Sequence, residues 1–180
     1  MPFRWWVWWV LSTTILPAQR ALFLYIASNL DVGFGVSRLR RLMFEEMALG
    51  RSRSGIWEEE CVAFFDRTIT DGSVIAIVAE DRESKGEGLL STTAAIICPR
   101  IPAPGIAFAN EARLTSIFTV PRFRRAGLAK ISMLLMMDVL KSKGVGRADL
   151  VASPEAVELY RNLGFREPLN RALVWQVVEG

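Results

Sequence analysis

The sequence predicts one α/β (α+β) domain, a mixed β-sheet flanked by helices, and three observations carry that expectation. Two apolar runs, Val74 to Ala79 and Leu89 to Cys98, are joined by the charged stretch Asp81 to Glu87, which reads as an antiparallel hairpin. A β-type run ending at Thr119, a long apolar helix and a second β-type run, Ala148 to Ala152, form a strand–helix–strand unit. Such a unit requires a parallel pair with a right-handed crossover. Finally, 180 residues with 51% apolar content are one domain's length of chain with enough apolar surface for a sizeable core.

Residues 1–24 stand apart from this pattern and are read as an atypical apolar extension, with the domain proper over 25–180. Four of the six tryptophans fall between Trp5 and Trp9. The apolar run is shorter than the ~20 residues a membrane helix needs, and Pro17 and Arg20 interrupt it. Arg4 before a short apolar core resembles a signal peptide, yet no small-x-small cleavage pattern follows. The extension is expected to be an extra strand or helix on the core, or the product of a wrongly chosen start codon. Contact with a bilayer interface is the less favoured alternative.

Ala21 to Ala27 reads as the first strand, followed by turn or capping oxygens at Ser28, Asn29 and Asp31. Val36, Leu39, Leu42, Met43 and Met47 recur at helical spacing, giving a helix that ends near Gly50. Its polar face carries Arg38, Arg40, Arg41, Glu45 and Glu46, with the arginines read as a solvated face. The linker Arg51 to Gly55 leads to a second helix with Trp57, Cys61, Phe64 and Phe65 in its apolar stripe. There Glu58, Glu59 and Glu60 complement the N-terminal dipole. Asp71-Gly72 turns the chain into the hairpin, Pro99 to Gly105 is an exposed loop, and Ile106 to Asn110 leads towards the run Arg113 to Thr119.

Thr119 to Lys130 is a basic, glycine-containing turn where a strand feeds a helix N-terminus. The first N–H groups of a helix lack intrahelical partners and carry the positive end of its dipole, so such a turn cradles anions. Gly127, with small Ala126 and Ala129, lets a diphosphate approach the backbone; Arg124, Arg125 and Lys130 add charge, and Pro121 stops the strand. The following helix, Leu128 to Lys143, is apolar on nearly every face and is expected to be buried, its methionines serving as core filler. Gly144 and Gly146 end it. After Ala148 to Ala152, Ser153 is expected to cap and Pro154 to open a helix with Ala156, Leu159, Tyr160 and Leu163 on one face, stopped by Gly164. Leu173 to Val178 is expected as a last strand.

The pattern Arg124-x-x-Gly127-x-Ala129, three residues after Pro121, resembles the Q/R-x-x-G-x-G/A signature of the GNAT superfamily of N-acetyltransferases. Further on, Ala156 to Phe165 resembles that family's second signature, a helix carrying Leu-Tyr that ends in Gly-Phe. The resemblance extends loosely from Leu39 to Val178. It implies a mostly antiparallel central sheet with a splayed parallel strand pair, and acetyl-CoA as co-substrate. It also implies pyrophosphate binding by Arg124, Arg125, Ala126, Gly127, Leu128, Ala129 and Lys130. Backbone groups at Phe118 and Val120 would meet the pantetheine arm and thioester oxygen, and Thr119 is also expected at the cofactor. Tyr160 would face the sulfur as the acid for the departing thiolate, its pKa near ~10 suiting a thiol. Ser153 stands where many relatives carry a cofactor-contacting asparagine. Glu45 or Glu46 would hold the acceptor amine, Ser116 would face the cleft, and Glu111, at the strand start, would act as base directly or through water.

The expected reaction is direct acetyl transfer to a primary amine of a small molecule or peptide. The alternative is a GNAT-fold acyl-CoA-binding or regulatory module without catalysis. A nucleotide binder is disfavoured by the absence of G-x-G-x-x-G and G-x-x-x-x-G-K-S/T. With no histidine in the chain, a histidine base, Ser-His or Cys-His nucleophiles and His-ligated metals are excluded. Cys61 and Cys98 form no metal spacing and are expected to be buried thiols in a reducing compartment; a cytoplasmic location and no metal are expected. A net charge of +3 is too small a surplus to argue for nucleic acid, and a homodimer is left open.

Overall fold

The structure is a computed structural model that describes residues 9–10, 22–27, 32–47, 55–81, 88–101, 103–104, 107–170 and 172–175. In chain order the elements are strands β1 (Trp9–Val10) and β2 (Leu22–Ile26), helices α1 (Val32–Glu46) and α2 (Ile56–Asp71), and strands β3 (Val74–Asp81), β4 (Leu89–Pro99) and β5 (Asn110–Thr119). A single 3₁₀ turn (Pro121–Phe123) then leads to helix α3 (Leu128–Ser142), strand β6 (Val145–Asp149) and helix α4 (Val157–Asn162). The strands form one sheet in sequence order, antiparallel throughout except for the β5–β6 pair. This is the mixed, mostly antiparallel sheet with one parallel pair that was expected, and α3 supplies the crossover.

Strand β3 shows why its sequence is nearly continuously apolar. Ile75, Ile77 and Ala79 pack with Met133, Met136 and Leu140 of α3 and with Tyr160 of α4. The alternate residues Val74, Ala76 and Val78 pack on the other face with Val36, Leu39 and Phe65 of α1 and α2. Successive side chains of a strand point to opposite faces, so a strand covered on both sides has no polar phase. The α1–α2 layer is fastened by Arg41 Nε to Glu58 at 2.9 Å and by the Phe44–Trp57 edge contact, ring centroids 5.9 Å apart. Gly33 approaches α2 so closely that an added Cβ would lie 2.1 Å from Asp66 Oδ1.

Strand β2 falls where the first strand was expected, over Leu22–Ile26, and pairs with β3. Several boundaries differ from the sequence reading, each for a local reason. Strand β6 begins at Val145 rather than Ala148: Gly144, at φ 71°, closes α3 alone. Gly146 lies inside the strand, where a Cβ would lie 2.1 Å from the Phe108 ring. Ser153 and Pro154 precede a turn, and α4 starts only at Val157 with no side-chain cap. Helix α3 is buried along one side, at Leu128, Ser132, Met133, Met136 and Leu140, while Leu134 faces outward. Cys61 is half-buried and Cys98 exposed, and both are free thiols. Leu173, Val174 and Trp175 are exposed and form no strand, and the remainder of that expected strand lies outside the described residues. So do most of the tryptophan cluster, the caps at 28–31 and the linker residues 51–54.

Candidate active site

The parallel pairing of β5 with β6 ends at Arg113 opposite Asp149, and beyond it β5 continues to Thr119 with no neighbouring strand on that side among the described residues. The gap opens into a cleft of about 920 Å³ between the C-terminal half of α1, the end of β5, the basic turn and the segment leading into α4. A strand with an unpaired edge exposes backbone N–H and C=O groups, and their phase decides which residues offer them. Val120 donates its N–H to the Leu90 carbonyl at 2.9 Å, and the Phe118 carbonyl accepts from Ser91 Oγ at 3.0 Å. Both residues therefore turn towards β4. Thr119, between them, turns to the open side, where its carbonyl receives Arg124 Nε at 2.9 Å. Of the three residues expected to meet the cofactor, Thr119 thus presents its backbone to the open edge, because the strand's alternation is set by its register on β4.

The basic turn has the conformation of an anion cradle. Arg125 and Gly127 have φ of 64° and 77°, and left-handed Gly127 is followed by right-handed, helical Leu128, a succession that points backbone N–H groups into a common concavity. Gly127 is the residue preceding α3, and the first helix N–H to reach a backbone carbonyl is that of Ile131, which donates to Gly127 at 3.0 Å. The amides of Leu128, Ala129 and Lys130 therefore precede the helical ladder, at the positive end of the α3 dipole. Arg125 and Lys130 line the cleft beside them. Arg124 is engaged elsewhere. Its Nη2 is 2.6 Å from Glu46 Oε2, and its guanidinium lies 5.4 Å from the Phe118 ring centroid. It ties the turn to the end of α1 rather than presenting a free charge.

Tyr160 is buried on α4, stacked edge-on against Phe165 with ring centroids 5.9 Å apart, and it lines the cleft. Its hydroxyl makes no hydrogen bond among the described residues, and burial raises its pKa, so it stays protonated to higher pH than an exposed tyrosine. The carboxylates are distributed differently from expectation. Glu111 lies near the far end of β5, its carboxylate 3.8 Å from Arg100, and does not line the cleft. Glu45 pairs with Arg41 at 2.7 Å outside the cleft. Glu46 lines it, its pKa lowered by the hydrogen bond from Arg124. Ser153 lines it too, and its side chain hydrogen-bonds Glu155, a cleft carboxylate that sequence reasoning missed. The pKa of Glu155 is lowered first by its own backbone N–H and then by Ser153.

Ser116 reaches the cleft wall, but in an unusual state. Its φ is 51°, at an irregularity in the β4–β5 register, and its hydroxyl accepts from Arg40 Nη1 at 2.7 Å. Arg40 was read as part of a solvated face. Only tertiary packing reveals it as half-buried, because the strand it contacts lies 76 residues away in sequence. No helix among the described residues is long and apolar enough to cross a membrane.

A model of the acetyltransferase (GNAT) family matches residues 38–165. No curated protein matches the chain. Among solved structures, it is similar to a predicted acetyltransferase with acetyl-CoA from Clostridium acetobutylicum (16% identity over 85% of this chain and 95% of that one, TM-score 0.72). It is also similar to glucosamine-6-phosphate N-acetyltransferase from Arabidopsis thaliana (18% identity, 84% and 97% covered, TM-score 0.60). A third is an aminoglycoside N-acetyltransferase in complex with CoA (17% identity, 91% and 99% covered, TM-score 0.62). Identities this low carry the fold rather than the acceptor.

Proposed function

Because the chain belongs to the acetyltransferase (GNAT) family, we propose that it transfers an acetyl group directly from acetyl-CoA to a primary amine of a small molecule or peptide. The observation that carries the reading is that two features line one cleft: the amide-lined turn before α3 and Tyr160, whose hydroxyl has no hydrogen-bond partner among the described residues.

Acetyl-CoA supplies the activated thioester, and the chain's own groups do the rest. The amides of Leu128, Ala129 and Lys130, with the side chains of Arg125 and Lys130, hold the pyrophosphate. The open-edge backbone of Thr119 aligns the pantetheine arm, and the proton of Tyr160 Oη goes to the departing sulfur. Burial keeps that proton in place at neutral pH. Glu46 and Glu155 are both held below the usual carboxylate range, so neither is tuned to take a proton near neutrality. We assign deprotonation of the acceptor amine to solvent, which reaches the open cleft. Nearest to such a substrate are Glu46 and Ser116, and an acetyl-CoA enzyme with these parts suits the cytoplasm.

Calorimetric titration of the full chain with acetyl-CoA, with NAD as control, tests the reading. Micromolar binding selective for acetyl-CoA is expected, followed by turnover on an amine panel. No binding by the folded protein would sink it. Binding without turnover on any amine would leave the non-catalytic acyl-CoA module.

A further inference from the structure

Arg40 is a half-buried cation in the cleft for which acetyl transfer itself has no use. It precedes Glu46 by six residues on α1, about 9 Å along the axis at 1.5 Å per residue, so it lies beyond the Glu46–Arg124 tie, away from the basic turn. Its Nη1 donates to Ser116 Oγ at 2.7 Å and Thr115 Oγ1 at 3.3 Å, and its guanidinium carbon is 4.7 Å from the Phe44 ring centroid. None of these partners is charged. Several other arginines are paired with carboxylates: Arg41 with Glu45 and Glu58, Arg113 with Asp149, and Arg124 with Glu46. Arg100 and Arg161 have carboxylates as well. Among the described residues no carboxylate reaches Arg40.

A guanidinium drawn partly out of water loses hydration that two neutral hydroxyls do not replace, and its lowered pKa reflects that desolvation. Its closest partner, Ser116, itself stands in the left-handed region at the β4–β5 irregularity, at a cost of roughly 1–2 kcal/mol. With Nη1 engaged, Nε and Nη2 remain for a second partner in the planar fork that matches an oxyanion. Arg40 also borders an adjoining hollow of about 610 Å³, walled by Trp57, Phe64 and Ile96, with room for the body of a small molecule.

We propose that the acceptor amine carries an oxyanion, a carboxylate or a phosphate monoester, that seats on Arg40 while the amine is directed along β5 towards Thr119 and Tyr160. This rests on the transferase reading above and adds the acceptor's charge class to it. A polycationic acceptor would meet Arg40 as a like charge and is disfavoured.

Matched acceptors that differ only in the anion provide the test, with the full chain and saturating acetyl-CoA: the protein amino acids against their carboxamides, and glucosamine-6-phosphate against glucosamine. One anionic set is expected to exceed its neutral counterparts by about 100-fold or more in kcat/KM, a preference that collapses to about threefold in Arg40→Gln. The set that shows the preference distinguishes carboxylate from phosphate. Arg40→Lys, which keeps the charge but not the fork, is expected to lose about tenfold of the preference, and it serves if the Gln variant melts early. Equal rates within both sets, or a preference that survives in both variants, would overturn the proposal. Failure of the wild type to bind acetyl-CoA would instead overturn the transferase reading. Direct calorimetric binding of the same anions, weakened in Arg40→Lys and lost in Arg40→Gln, would then still support the site, and its absence would end it.

Discussion

Tyr160 carries the sharpest chemical expectation. Tyr160→Phe removes one hydroxyl without changing the packing on Phe165, so kcat should fall about 100-fold while acetyl-CoA affinity stays nearly unchanged. A kcat within a few-fold of wild type would exclude the hydroxyl as the acid. The pH dependence follows from the direction of its shift. Rate should rise with pH as the acceptor amine deprotonates and hold into the alkaline range, declining only above Tyr160's raised pKa. A pH–rate profile that declines below about pH 9 would place the acid elsewhere. Linkage has the same sign. A neutral acid whose folded pKa exceeds its unfolded value contributes stability that is complete below the unfolded pKa and is lost as pH rises from there through the folded pKa, so the Tm difference between wild type and Tyr160→Phe should change only above about pH 10. Ser132 offers a different single-residue test. Its hydroxyl is fully buried in α3 with no partner among the described residues, so Ser132→Ala should be neutral or stabilising by up to about 1 kcal/mol in denaturant unfolding.

Among the elements, the turn before α3 and the α1–α2 contact each make a separable claim. At Gly127 an added Cβ would meet only Ile131, 3.9 Å away, so space is available and the penalty is backbone strain at positive φ. Gly127→Ala should therefore cost about 1 kcal/mol of stability but weaken acetyl-CoA binding by more than that strain explains, because the methyl group intrudes on the amide cradle. An unchanged calorimetric affinity would remove the turn from the cofactor site. At Gly33 the opposite holds. A Cβ would overlap Asp66 Oδ1, and Gly33→Ala should cost about 1–3 kcal/mol, with part recovered when Asp66 is also replaced by Ala. Simple additivity in that double-mutant cycle would mean that the helices separate rather than clash.

At the scale of the whole molecule, one sheet covered by helices on both faces places the cleft where its single parallel pair comes apart. Much of this was legible in the sequence, because it is written in contiguous residues. Hairpin-linked apolar runs and the strand–helix–strand unit imply the mixed sheet. Pro121, Gly127 and the basic residues between Thr119 and Lys130 make the basic strand-to-helix turn whatever surrounds them, and α4 with Tyr160 follows from helical spacing closed by Gly164. What the tertiary structure alone decided depends on partners far apart in the chain. The register of β5 on β4 selects Thr119 over Val120, and Glu46, 78 residues from Arg124, converts an expected phosphate ligand into a tie. The distance of Glu111 from the cleft and the packing of Arg40 on Ser116 belong to the same class. Local chemistry determines which turns and helices a chain can form, but which side chain faces a neighbour across the sheet is set only when the strands have paired and the helices have packed.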